Sequence, residues 1–99
     1  MIKYLEKEED FKTLTEKRVL VDFYAEWCGP CRMMAEVLDD LNKEDESVNI
    51  LKIDTDKFAD MSFKMGVMTI PTLVIMEDNK EIKKHIGYMS LEELKDFMK

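Results

Sequence analysis

The sequence predicts an α/β domain: a central mixed five-stranded sheet with four helices packed on both faces, in three layers. Three observations predict it. Runs at 18–25, 48–54 and 72–76 are apolar almost throughout and rich in β-branched and aromatic residues, as strands covered on both faces are. Between and after them the apolar spacing changes to a helical period. With 45% apolar residues, a chain of 99 residues suits one domain, 1–99, with its own core.

The elements follow in order. "IKYL" (2–5) is a short strand, and 7–16 reads as a helix with Phe11 and Leu14 inward. "RVLVDFYA" (18–25) is a central strand. "CRMMAEVLDDLNKE" (31–44) sets Cys31, Met34, Ala35, Leu38 and Leu41 on one helical face. "VNILKID" (48–54) is the next buried strand. Asp56 can cap a short helix lined by Phe58, Met61 and Met65, with Gly66 at its C′ position. "TLVIM" (72–76) is a third buried strand, and "EDNK" (77–80) a tight turn, because Asp and Asn tolerate the left-handed region. "EIKKHI" (81–86) alternates and reads as an outer strand. Ser90 and Glu93 form a capping box before a helix striped by Leu91, Leu94 and Met98. The first three strands are joined by helices and should run parallel; the turn at 77–80 makes the last two antiparallel.

Fifteen Lys and Arg face 22 Asp and Glu, a net charge of −7, which leaves no electrostatic footprint for nucleic acid or an anionic membrane. No apolar run approaches the length of a membrane span. The opening "MIKYLEKEED" has no apolar core of a signal peptide, so a cytoplasmic protein is expected, in a compartment that keeps thiols reduced.

Both cysteines lie in "EWCGPCRM" (26–33). Zinc asks for four ligands, and the remaining candidate, His85, lies far away on an outer strand; only a site shared across a dimer would remain. As a staple, the pair closes too short a loop to restrict the unfolded chain much. Redox chemistry fits better. Residues three apart on a helix are ~5–6 Å apart, within the reach of a disulfide. Cys28 stands at the helix N-terminus, where free N–H groups and the dipole favour a thiolate, so it should be exposed and reactive. Cys31 continues the apolar face and should be buried. Gly29 allows a tight turn, and Pro30 suits the first helical turn.

Here "VDFYAEWCGPC" (21–31) resembles the active-site stretch of the thioredoxin family, and "IPT" (70–72) resembles its second signature. The element order above is also that of the thioredoxin fold, so the similarity spans essentially the whole chain. The resemblance implies a thiol–disulfide oxidoreductase that reduces protein disulfides, with Cys28 as nucleophile and Cys31 as resolving thiol. It implies a buried proton acceptor at Asp22, modulated by Lys52 on the adjacent strand. A carboxylate buried there should have a raised pKa. Pro71 would be cis and lie against the cysteines, holding the Ile70 backbone open for an extended substrate. Thr69, Ile70, Pro71 and Gly87 would line a groove that Trp27 caps, with Met33 and Met68 as its adaptable rim. No bound cofactor or metal is implied; electrons would come from a thioredoxin reductase, and the partners would be disulfide-containing proteins met by a monomer.

Four positions depart from the family pattern: Tyr24 stands where a second Trp is common, Glu36 where a helix-kinking Pro is common, Asn79 where Gly is frequent, and Thr69 where some members have Gly. With Glu36 in place of Pro, the helix should run straighter. Two rival readings are an oxidant or isomerase, disfavoured by Gly-Pro between the cysteines, and a non-catalytic subunit that binds through its groove.

Overall fold

The continuous apolar run in the first third of the chain becomes the middle of the sheet. A computed structural model describes all 99 residues. Its strands are β1 (Ile2–Tyr4), β2 (Val19–Tyr24), β3 (Ile50–Asp54), β4 (Thr72–Glu77) and β5 (Lys80–Ile86). Its helices are α1 (Phe11–Leu14), α2 (Gly29–Glu44), α3 (Ala59–Lys64) and α4 (Leu91–Phe97), with a 3-10 turn at Glu8–Asp10 before α1. The strand order is β1-β3-β2-β4-β5. β1, β3 and β2 run parallel, as expected for strands joined by helical crossovers, while β4 is antiparallel to β2 and β5 to β4.

Each sheet face carries its own core, because successive strand residues point to opposite sides. Val21, Phe23, Leu51, Ile53, Val74 and Met76 pack with Phe58 and Met61 on one side. Leu20, Ile50, Leu73 and Ile75 pack with Met34, Leu38, Leu41 and Leu94 on the other. Asp22 lies two residues beyond Leu20 and so faces the α2 side, fully buried.

The turn signals mark real turns. Asp78 and Asn79 have φ of +55° and +60°, the paired positive values of a two-residue hairpin that matches strand twist. Gly66 has φ +79°. Its N–H donates to Phe63 O and that of Val67 to Ser62 O, which satisfies the last carbonyls of α3. The Ser90–Glu93 capping box is formed in both directions.

Other expectations need correction. The helix at 7–16 shrinks to the 3-10 turn and the single turn of α1, with Phe11 and Leu14 half-buried. Lys7 offers no side-chain cap at its start, and the Thr15 hydroxyl donates to Phe11 O at its end. On α2 the buried face takes Val37 rather than Ala35, which is only half-buried. Asp56 does not cap α3; Phe58 occupies the N-cap without a side-chain bond. Instead the Asp54 carboxylate accepts the Asp56 and Lys57 N–H groups, so the turn is closed one position pair earlier. α2 runs unbroken for 16 residues, in keeping with Glu36 in place of a kinking Pro.

Candidate active site

β2 ends on Tyr24 and α2 begins on Gly29, so the turn between them lifts Trp27 and Cys28 to one end of the sheet. Cys28 is the N-cap of α2, in extended conformation, and its Sγ accepts the Cys31 N–H at 3.2 Å. That bond turns an unpaired helix-terminal donor toward sulfur, which favours negative charge there. Pro30 occupies the first turn, where no N–H is needed. Gly29 is not required for strain relief: its φ is not left-handed, and a Cβ would meet nothing within 4 Å. The Arg32 guanidinium donates to Glu26 O at 2.9 Å and braces the turn from the helix side.

Cys28 and Cys31 are joined as a disulfide with Cα atoms 5.2 Å apart. The expectation of an exposed Cys28 is not met in this oxidised state: it is 5% exposed and Cys31 3%. The two cysteines are buried with Ala25 in one small cluster, on which Tyr24 and Ile70 pack. The exposed groups are its neighbours. Trp27 is 69% exposed and donates its indole N–H to Asp56 at 2.8 Å. Met33 and Met68 are also open to solvent.

On the α2 side of the sheet, register sets a row of polar residues. Tyr4 on β1 pairs with Lys52 on β3, which pairs with Asp22 on β2. Lys52 Nζ lies 4.0 Å from Asp22 Oδ2, and neither carboxylate oxygen has a hydrogen-bond partner. Burial pushes the Asp22 pKa up to about 7, and Lys52 pulls back against it. Desolvation wins because the carboxylate is wholly enclosed while its one cation sits beyond hydrogen-bond reach. The Tyr24 hydroxyl is raised to about 12, first by burial and then by Asp54, Tyr4, Glu26 and Asp22 nearby.

The second signature comes to the same end of the sheet. The Ile70–Pro71 peptide is cis, and the Ile70 carbonyl oxygen lies 3.9 Å from Cys28 Sγ. Neither the N–H nor the carbonyl of Ile70 bonds to other backbone. Gly87 donates its N–H to Pro71 O at 2.8 Å, which ties the end of β5 to this segment. Its φ of +104° suits glycine, although a Cβ there would meet nothing within 4 Å. Thr69 is exposed, and its carbonyl accepts the Thr72 hydroxyl. His85 packs edge-on against Phe97, away from the cysteines. No cluster of three or more His, Cys, Asp or Glu is arranged to hold a metal ion.

Sequence reasoning missed Asp56 as the Trp27 acceptor, Arg32 as the brace, and Tyr4 as a neighbour of Lys52. Register and loop closure bring Tyr4 to Lys52 and Asp56 to Trp27, while Arg32 reaches Glu26 within the active-site turn itself; no sequence pattern marks any of the three.

The sequence model described as Thioredoxin matches residues 2–99. Among curated relatives, a thioredoxin of Listeria monocytogenes is 46% identical over 81 residues, covering 81% of this chain and 79% of its own. A thioredoxin of Bacillus subtilis is 40% identical over 85 residues, covering 85% and 82%. Among solved structures, a mutant thioredoxin from Halobacterium salinarum superposes with a TM-score of 0.87 at 33% identity, covering 96% of this chain and 85% of that one. Oxidised mitochondrial thioredoxin 3 from Saccharomyces cerevisiae gives 0.85 at 32% identity, covering 98% and 93%.

Proposed function

This chain belongs to the thioredoxin family and is a thiol–disulfide oxidoreductase, and from that premise we propose that it works as a general reductant of protein disulfides. The observation that carries the reading is the Cys28–Cys31 disulfide lying beside the unpaired backbone of Ile70. A redox pair and a strand-docking edge then share one surface.

In the reduced protein, the Cys28 thiolate attacks one sulfur of a substrate disulfide. The substrate S–S bond breaks, a mixed disulfide forms on Cys28, and the departing substrate thiolate takes up a proton. Cys31 gives its proton to Asp22 and attacks Cys28 Sγ. The mixed disulfide breaks, the second substrate thiolate leaves and is protonated, and the Cys28–Cys31 bond closes. Two electrons and two protons have passed to the substrate. Asp22 suits the acceptor role because its pKa of about 7 lets it hold or release a proton near neutrality.

The substrate segment would add as a strand along Thr69, Ile70 and Pro71, with Gly87 and Trp27 flanking it. Met33 and Met68 supply an unbranched, polarizable rim that adapts to different sequences. Family membership implies disulfide-bearing substrates and a reductase in general; we assign the electron supply to an external thioredoxin reductase, with the chain acting as a cytoplasmic monomer without bound cofactor.

The test is a trap. Cys31→Ser should accumulate mixed disulfides on Cys28 under mild oxidation, identified by mass spectrometry. Absence of trapped proteins would overturn the reductant reading. Replacing both cysteines by Ser separates the subunit alternative, because a binding module keeps its partners and a reductant loses all activity.

A further inference from the structure

Lys52 is held by more than its carboxylate. Its side chain is 9% exposed, and Nζ makes no hydrogen bond to protein. Its closest partners besides Asp22 are two aromatic faces: the Tyr24 ring with centroid at 4.8 Å and the Tyr4 ring at 5.5 Å. The rings meet edge to face, 6.3 Å apart, so each fixes the other's orientation. The ammonium thus sits in a two-sided aromatic clasp with the carboxylate on its third side. An ammonium on a flexible four-carbon stem would otherwise turn toward water, which solvates it better than a carboxylate 4.0 Å away.

The placement of each ring follows from the sheet. Tyr4 pairs in register with Lys52 across β1 and β3. Tyr24 lies two residues beyond Asp22 on β2, hence on the same face. Tyr24 also packs against the Ala25, Cys28 and Cys31 cluster, so one ring touches both the redox pair and the cation. Tyr4 is not among the residues packed around the cysteines and meets that cluster only through Tyr24. It is 57% exposed on an edge strand of three residues, an open place for a large aromatic unless one face is used.

We propose that Tyr4 and Tyr24 are positioning residues whose ring faces hold the Lys52 ammonium against Asp22, and so govern how readily Asp22 takes up and gives up its proton. The attraction is that of a cation for the negative face of an aromatic ring, strongest where water is excluded. With the clasp open, Lys52 spends its time in solvent and Asp22 loses the charge that opposes its burial. The charged and titratable groups facing the pair are Tyr4 from β1, Tyr24 from β2, and Asp54 and Glu26 beside Tyr24. β4 places apolar Leu73 opposite Asp22, and α2 contributes the disulfide, which does not titrate. Lys52 is therefore the one cation available to tune Asp22. The proposal deepens the proton-acceptor reading of Asp22 and rests on that reading only for its kinetic consequence.

The experiment follows the Asp22 carboxyl by carbon NMR against pH in the oxidised, full-length protein. Tyr4→Leu should raise the Asp22 midpoint by roughly half a pH unit. Tyr4→Phe keeps the ring face and should leave the midpoint in place. In a Lys52→Met background, Tyr4→Leu should move nothing further, because the cation it positions is gone. Tyr4→Val, a strong strand former, carries the same test if the Leu variant loses the fold. An unmoved midpoint in Tyr4→Leu, or an equal shift with and without Lys52, would overturn the proposal. The pH profile of mixed-disulfide resolution is measured alongside. A shift of both midpoint and profile supports the clasp and the acceptor role together. A shifted midpoint with an unshifted profile supports the clasp and refutes the acceptor role.

Discussion

Replacing Asp22 by Asn should make the oxidised protein more stable relative to wild type as pH rises. Asp22 is wholly buried and titrates near 7, against an ordinary value of 3.8 that the unfolded chain recovers. Between those values the folded state binds the proton more tightly, so the Asp22 contribution to wild-type stability falls as pH rises from about 4 and levels off above 7. Each pH unit between the two values is worth about 1.4 kcal/mol, so ionising the buried carboxyl costs about 4 kcal/mol in all. Asn has the same shape and no charge. It brings a buried amide without an obvious acceptor, a penalty of roughly 1–3 kcal/mol that does not change with pH. The discriminating quantity is therefore the pH dependence of the difference. Urea unfolding of both oxidised proteins at several pH values should show the variant's relative stability rising by about 4 kcal/mol between pH 4 and 8. Parallel stability curves across that range would mean that burial does not raise the Asp22 pKa.

Two further outcomes test other parts of the molecule. Gly66→Ala forces a Cβ onto a residue with φ +79° at the end of α3, and should cost roughly 1–2 kcal/mol by thermal or urea unfolding. Met68→Lys places a charge on the 77%-exposed rim beside Ile70. It should raise KM for protein disulfides while leaving the reduction of a small aromatic disulfide unchanged; equal losses on both substrates would remove Met68 from the docking surface.

Much of the site was legible as a list of residues. W-C-G-P-C after a buried strand, an Asp inside that strand and I-P-T before another mark Cys28, Cys31, Asp22 and Pro71 without any coordinates. For Cys28, Cys31 and Asp22 the reason is a local rule, two thiols one helical turn apart and a carboxylate out of place in an apolar run, whereas Pro71 is marked only by the resemblance of I-P-T to the family's second signature. What failed locally failed for want of long-range information. The helix at 7–16 had the right period but no cap, and collapsed to one turn. Asp56 had the right residue type for an N-cap, but Asp54 closes the turn and leaves Asp56 to Trp27. Cys28 was expected in the open because helix N-termini usually are; the disulfide and its packing with Ile70 bury it.

The strands, the redox pair and the direction in which helix α2 polarises it are set locally, since period, turn chemistry and helix-end electrostatics all act within a few residues. The tertiary structure alone decided the relations across strands. Parallel register sets Tyr4, Lys52 and Asp22 in one row, though they are far apart in the chain. Burial of that row pushes Asp22 up to about 7, and how far depends on a 4.0 Å gap to Lys52. Desolvation and Coulomb attraction depend on distance and enclosure, and neither is written in any local stretch of residues.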